Sequence, residues 1–249
     1  MLSDGWRTRT ASVLAFAVSQ LVLTLKAGPD TTATATRLVE QEQAPAARGL
    51  RVGENPNIRK AQTISETLGS RTDRLVGQVS RGTITPAEFE RKMAALLART
   101  YTQQYMAGAG VRELTAAQRE QIAKRVAVQL QFLSEFKSTM GARLATLQTP
   151  EQRAADLAAW QRRARMYADG TQVSWWMGRT DGLNLPAFPK DGGTACLSNC
   201  GCSWEIEEVD AKRGHYDCYW RLGDKEHCED CASREAQYSP FKVRPKGKK

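Results

Sequence analysis

The sequence predicts a mainly α chain: a helical body followed by a small C-terminal β-hairpin module resembling a zinc ribbon, α+β overall. Three observations carry this. Alanine and arginine are abundant, aromatic residues make up only 7%, and β-branched runs are scarce, a balance that favours helix over sheet. Three segments open with the same helix-start pattern. All six cysteines and both histidines fall within the 36 residues from Cys196 to Cys231. At 249 residues, 41% apolar and 25% charged, the chain is long enough to bury a core in one large domain or two modest ones. That composition excludes a collagen, a wholly disordered chain and a polytopic membrane protein.

Residues 1–27 begin with Arg7 and Arg9 and continue into an apolar stretch, Ala11 to Leu25, closed by Lys26. A basic start and a short apolar middle outline a signal peptide, and secretion is the alternative reading. Against it, Ser19 and Gln20 interrupt the stretch, and Lys26 stands where small residues should guide cleavage. Its 15 residues fall short of the ~20 that span a bilayer as a helix, so no membrane span is expected. The segment reads as an apolar N-terminal helix or arm. Residues 28–56 turn to Thr, Ala, Gln, Gly and Pro without periodicity and read as a linker.

Residues 57–169 read as a helical domain. Thr85-Pro86-Ala87-Glu88 places a hydroxyl at the N-cap, a proline in the first turn and a carboxylate three residues on. These groups can satisfy backbone donors that a helix start leaves unpaired. Thr115 with Gln118, and Thr149 with Pro150 and Gln152, repeat the device. Behind the first cap, Phe89, Met93, Leu96, Leu97, Tyr101 and Tyr105 recur at helical spacing up to Gly108 and Gly110. Behind the second come Ile122, Val126, Leu130, Leu133, Phe136 and Met140, ending at Gly141; behind the third, Leu157, Trp160, Ala164 and Tyr167, ending at Gly170. A weaker earlier helix carries Ile64, Leu68, Leu75 and Val79. Such stripes are core seams. Arg162, Arg163 and Arg165 suit the negative end of a helix dipole better than a phosphate site, since no second basic helix stands beside them in sequence. Residues 170–195 read as a Gly/Pro-rich linker. Trp175 and Trp176 within it are either a plug over the core or a partner-binding patch.

Residues 196–241 form the cysteine module. Ser203 to Val209 and Tyr216 to Leu222 alternate apolar and polar around a turn at Asp210 to Gly214, the pattern of a hairpin. With Glu207 set opposite Cys218, Cys202 faces Gly223 and Cys200 faces Lys225, so the hairpin base brings Cys200 and Cys202 towards Cys228 and Cys231. Two close-spaced cysteine pairs meeting in this way build a closed tetrahedral zinc site. Cys196 and His227 are candidate replacements for one ligand. Cys218, about 16 Å up the ladder at ~3.3 Å per residue, reads as a packed core cysteine. Three disulfides, or reduced thiols without metal, remain competing readings.

No P-loop, GxGxxG, HExxH or GxSxG motif occurs. His215 and Cys218, three apart on a strand, point to opposite faces and cannot pair as base and nucleophile. A four-thiolate zinc has no open position for water. The expectation is therefore a non-enzymatic protein with no small-molecule substrate. From Cys196 to Cys231, nine acids oppose four bases, a net charge of −5 that leaves +14 on the rest of the +9 chain. An acidic module repels phosphate, which favours a structural zinc over a nucleic-acid reader. Residues 242–249 form a basic tail with Lys242, Arg244, Lys246, Lys248 and Lys249, a weak candidate for DNA contact.

The stretches QLQFLSEF, RRARMYADG, CLSNCGCSWEIEEVD, YWRLGDKEHCEDC and YSPFKV together resemble structural proteins of tailed bacteriophages, of the minor head or head-morphogenesis kind. The likeness runs from about Thr85 to Val243 and is most specific in the cysteine module. It implies a non-enzymatic role in the virion head or portal region, with portal or capsid proteins as partners. It carries Cys196, Cys200, Cys202, Cys228 and Cys231 as its motif residues. It also implies assembly in the host cytoplasm, where thiols stay reduced, which argues against a cleaved signal. The alternative function is a zinc-binding adaptor or DNA-associated protein of a host cell.

Overall fold

A computed structural model of the chain describes residues 29–48, 50, 58–146, 149–196, 201–224 and 227–244. The expected N-terminal arm, Cys200 and the last five residues of the basic tail lie outside these. Helices α1 (Pro29–Ala47), α2 (Ile58–Ser80), α3 (Pro86–Ala109), α4 (Ala116–Leu144), α5 (Pro150–Gly170) and α6 (Gln172–Leu183) build the body. Strands β1 (Ser203–Asp210) and β2 (His215–Arg221), helix α7 (Glu229–Tyr238) and strand β3 (Phe241–Val243) follow. The chain is mainly helical with a small antiparallel sheet near its C-terminus, the class that the sequence predicts. Among the described residues, no helix is long and apolar enough to cross a membrane.

The three helix-start motifs all close as capping boxes. The Glu88 backbone N–H donates to Thr85 Oγ1 at 3.2 Å, and the Thr85 N–H donates to Glu88 Oε2 at 2.9 Å. Thr115 with Gln118 and Thr149 with Gln152 make the same reciprocal pair. Gly110 ends α3 in the left-handed region at φ 70°, donating its N–H to the Met106 carbonyl. Gly141 does not stop α4, which runs three residues further. Most of the apolar stripe residues are buried, while Ile64, Leu75, Leu96, Leu130 and Leu157 are only partly so. Phe136 ties three helices together. It meets Phe89 edge-on at 5.7 Å and stacks on Tyr167 at 6.4 Å.

Helix α3 is the axis of the body: α1, α2, α4 and α6 all pack against it, and α5 lies on α2. Two segments read as linkers are helices in this arrangement. Within 28–56, α1 buries Ala35, Val39 and Ala46 and joins Arg99 of α3 through Glu42 at 2.6 Å. Its buried residues are small, Ala35, Val39 and Ala46, and threonines and alanines fill much of the rest, so hydrophobic periodicity is faint; tertiary contact supplies what propensity lacks. Within 170–195, α6 continues from α5 across Thr171, whose helical backbone angles leave no break for a linker. Its glycines are contacts. A Cβ on Gly178 would stand 2.0 Å from the Tyr105 carbonyl oxygen, and one on Gly108 would stand 2.1 Å from that of Trp175. Only glycine lets the two backbones meet this closely.

In the module the strands run in the order β1-β2-β3. The ladder pairs Trp204 with Trp220, Ile206 with Cys218 and Glu208 with Tyr216, one residue off the register expected from the sequence. A one-residue slip turns every side chain to the other face. The observed register puts both tryptophans, Ile206 and Cys218 on one side, and it accommodates the odd residue as an irregularity at Val209, which is left exposed. Lys242, counted in the basic tail, sits in β3 opposite Asp217, and Arg244 pairs with the Asp217 carboxylate. These two cations are thereby committed to the sheet.

Gly178→Ala is expected to destabilise the fold by about 3 kcal/mol, because neither backbone can yield without parting the helices. Gly141→Ala is the contrasting case. Its Cβ would lie 3.8 Å from Pro86 Cγ, an ordinary contact, and removing a mid-helix glycine should stabilise by about 0.5–1 kcal/mol. Urea titration of both variants reads the two signs; a neutral Gly178→Ala would refute the crossing.

Candidate metal centre

The site begins where α6 ends. Asn184 caps α6 in the left-handed region at φ 53°, and the Leu185 N–H donates to the Thr180 carbonyl at 2.9 Å. From here residues 185–196 form a strap across the module. Leu183, Leu185 and Ala187 share an apolar cluster with Cys202, Trp204, Cys218, Trp220 and Cys231. The Trp204 indole N–H donates to the Ala187 carbonyl at 2.9 Å. Further along, Asp191 accepts from the Gly193 N–H at 2.8 Å and from Arg234 of α7 at 2.9 Å. Both side chains of that ion pair are only 16% exposed, and the Arg234 guanidinium also lies over the Trp220 ring at 5.4 Å. The Ala195 N–H donates to Asp230 at 2.8 Å. The strap is thus tied to the start of α7 immediately before Cys196.

Helix α7 presents the other half. Cys228 is its N-cap, and Cys231 lies in the first turn with its N–H donating to the Cys228 carbonyl at 3.0 Å. A CxxC across a helix N-terminus directs both sulfurs to one side, near the positive end of the helix dipole. Cys196 Sγ lies 3.4 Å from Cys231 Sγ and 3.6 Å from Cys228 Sγ. All three sulfurs fall within 4.8 Å of one another. A tetrahedron of thiolates at Zn–S ~2.3 Å has edges of about 3.8 Å, so the trio is close enough to bind one metal ion. These separations are far beyond a disulfide bond of ~2.05 Å. Burial pushes the Cys228 thiol up, but the backbone N–H groups of Cys231 and Cys196, and then their thiols, favour the thiolate and bring it down to about 7.

The expected ligand set was Cys200, Cys202, Cys228 and Cys231, with Cys196 or His227 as replacements. Cys228 and Cys231 are in the trio, and Cys196 enters it from the strap. Cys202 is packed in the module's apolar cluster, and its sulfur is not among the three. His227 is exposed and outside the trio. Gly201 and Gly223 draw the arms of the hairpin together at its base: a Cβ on Gly223 would stand 2.5 Å from the Gly201 carbonyl oxygen, so the two arms converge backbone to backbone. Cys218 is fully buried opposite Phe241, and burial pushes its thiol up to about 11. His215 pairs with Asp210 at the far, turn end of the ladder.

The structure buries the first of the two tryptophans and half-buries the second. Trp175 is 3% exposed, and the backbone beside it is the part of α6 that meets Gly108. Trp176, one residue and about 100° further round the helix, is half-buried and packs on the module's apolar cluster. The pair stands where body and module meet, rings edge-to-face at 4.6 Å. A second junction residue went unread in the sequence. Arg179 is 6% exposed, with its guanidinium 5.7 Å from the Tyr216 ring. Burial pulls its pKa down, opposed by Tyr216, Cys218 and Glu208. A lone arginine four residues after a tryptophan gives no sign of this until α6 is known to be a helix.

Comparison of the chain with family models, with curated proteins and with solved structures found no match.

Trp175→Ala is expected to cost about 3–5 kcal/mol, as for a large buried aromatic. Thermal melting of the isolated protein checks it. A variant that melts like the parent would return Trp175 to the surface.

Proposed function

We propose that Cys196, Cys228 and Cys231 hold a structural zinc ion, and that the chain is a non-enzymatic assembly protein of a tailed-phage virion that contacts portal or capsid proteins. The observation that carries the metal half is the meeting of three sulfurs drawn from two separate elements, the strap and the first turn of α7. Soft thiolate donors in tetrahedral arrangement suit zinc, which has no geometric preference of its own and no redox chemistry. The physical need is plain as well. The 46 residues from 196 to 241 are too few to fold on a single small core, and modules below roughly 70 residues are stapled by metals or disulfides. Here the ion would join the strap to α7 and so hold the sheet against the end of α6.

The virion half is supported by the resemblance between Thr85 and Val243, and by a site that offers clamping. Charge distribution fits such a role. An acidic module on a basic body gives two surfaces of opposite sign for neighbouring subunits.

Protein purified under reducing conditions is expected to carry one zinc per chain by elemental analysis, and Cys231→Ser to carry none. Comparing Cys200→Ser with Cys202→Ser identifies the fourth ligand by which of them loses metal. Metal-free wild-type protein would end the zinc reading. The virion role is tested by mass spectrometry of gradient-purified particles from the phage that encodes the chain. The chain should co-purify at a fixed ratio to the portal protein, and its absence from particles would end that reading.

A further inference from the structure

We infer that the same three cysteines are a disulfide site: when the metal is withdrawn and a small disulfide oxidant is present, Cys196 joins Cys231, and a covalent bridge takes over the clamping of the strap to α7. The inference rests on the metal reading only in naming what the bridge replaces.

Three observations favour this bond over the alternatives. The first is distance. Cys196 Sγ and Cys231 Sγ are 3.4 Å apart, so the sulfurs need to close only about 1.4 Å to reach bonding distance. The contacts that place Cys196, from Asp191 to Arg234 and from the Ala195 N–H to Asp230, do not pass through the sulfur. They keep the two thiols adjacent after the ion has gone.

The second is topology. A Cys196–Cys231 bridge encloses the entire hairpin, 36 residues counting both ends, and so constrains a long loop of the unfolded chain. A Cys228–Cys231 bridge would close only one turn of α7 and leave the strap untied. Only a bond through Cys196 does what the metal does.

The third is access. Cys196 and Cys228 are half-buried, whereas Cys231 is 1% exposed. An external disulfide reaches both half-buried sulfurs but not Cys231, and once Cys196 has reacted the sequestered Cys231, at 3.4 Å, is its nearest thiol. With oxidised glutathione, the Cys196 thiolate attacks one glutathione sulfur, the glutathione S–S bond breaks, and one glutathione leaves as thiolate. Cys231, giving its proton to solvent, then attacks the Cys196 sulfur of the mixed disulfide and releases the second glutathione. Two protein thiols and one oxidised glutathione become one protein disulfide and two reduced glutathiones. Cys218 takes no part, being fully buried within the sheet.

The consequence is a module clamped in two environments, by metal where thiols are kept reduced and by a disulfide where they are not. A particle component built inside a cell and released from it meets both.

The test uses the full chain, treated with a chelator and oxidised glutathione, alkylated, digested and mapped by mass spectrometry. Expected is a Cys196–Cys231 cross-link, with loss of alkylation at both residues together. The Cys228→Ser protein should form the same bond and Cys196→Ser should not. In a denaturant titration followed by tryptophan fluorescence, the bridged wild type should keep the midpoint of the metal-loaded protein, while the chelated, reduced protein shifts lower. A dominant Cys228–Cys231 bond, Cys196 joined to Cys200, Cys202 or Cys228, or Cys196 left alkylatable or glutathionylated would each overturn the inference. Failure of the zinc reading would appear instead as reduced protein without metal, which leaves the cross-link map unaffected.

Discussion

The crossing of α3 and α6 is the contact on which the rest of the architecture depends. At Gly178 and Gly108 each helix turns a residue without a side chain towards a carbonyl of the other, and a Cβ at either place would fall 2.0–2.1 Å from oxygen. The same seam continues a turn to either side. Ser174 donates its hydroxyl to the Tyr101 carbonyl at 2.7 Å, and Gly182 faces Ala109. Small residues four apart on α6 therefore lie along the backbone of α3, and close approach maximises dispersion contact along the whole seam. A buried polar chain braces the corner where α5 turns into α6. Gln104 donates to Ser65 at 3.0 Å, and Ser65 and Thr171 share a hydrogen bond at 3.1 Å.

Once α6 is fixed, its far end dictates where the C-terminal module can sit. Trp176 and Leu183 belong to the module's apolar cluster although they are residues of a body helix. The strap that follows is held from both sides. Arg125 of α4 reaches the Asp191 carbonyl at 3.3 Å while the Asp191 carboxylate takes Arg234 of α7. Body, strap and module thus share one junction with the buried Trp175, the half-buried Trp176 and two partly desolvated arginines, Arg179 and Arg234. Cys196 arrives beside the CxxC pair as the last consequence of this chain of contacts. The cysteine trio marks the point at which a long structural argument, begun at two glycines, can be closed by a single ion.

Three sulfur donors from two chain segments converge at that point. Among the described residues neither histidine stands within the group. Small modules of this size depend on such closures because their cores bury too little apolar surface to offset the entropy of ordering the chain. The strap and α7 meet beside an acidic three-stranded sheet set on a basic helical body.

The sequence by itself determined what local chemistry encodes. Thr85, Thr115 and Thr149 announce their helices because a capping box is satisfied within four residues, and the stripes behind them follow a period that any buried helix must show. The hairpin and the CxxC at the start of α7 are legible for the same reason. What only the tertiary structure decided is what depends on partners distant in the chain. Helix α1 buries Ala35, Val39 and Ala46 where a seam would show larger residues, and α6 presents Ser174, Gly178 and Gly182, which resemble a loop until a second backbone is laid against them. The register of the sheet turned on whether Trp204 would meet Trp220, a matter of burial on one face. Cys196 became a member of the trio through the path of a strap anchored at Asp191 and Ala195. Spacing places residues that are neighbours in sequence; the third sulfur came from 32 residues before Cys228, and only a packed core could bring it there.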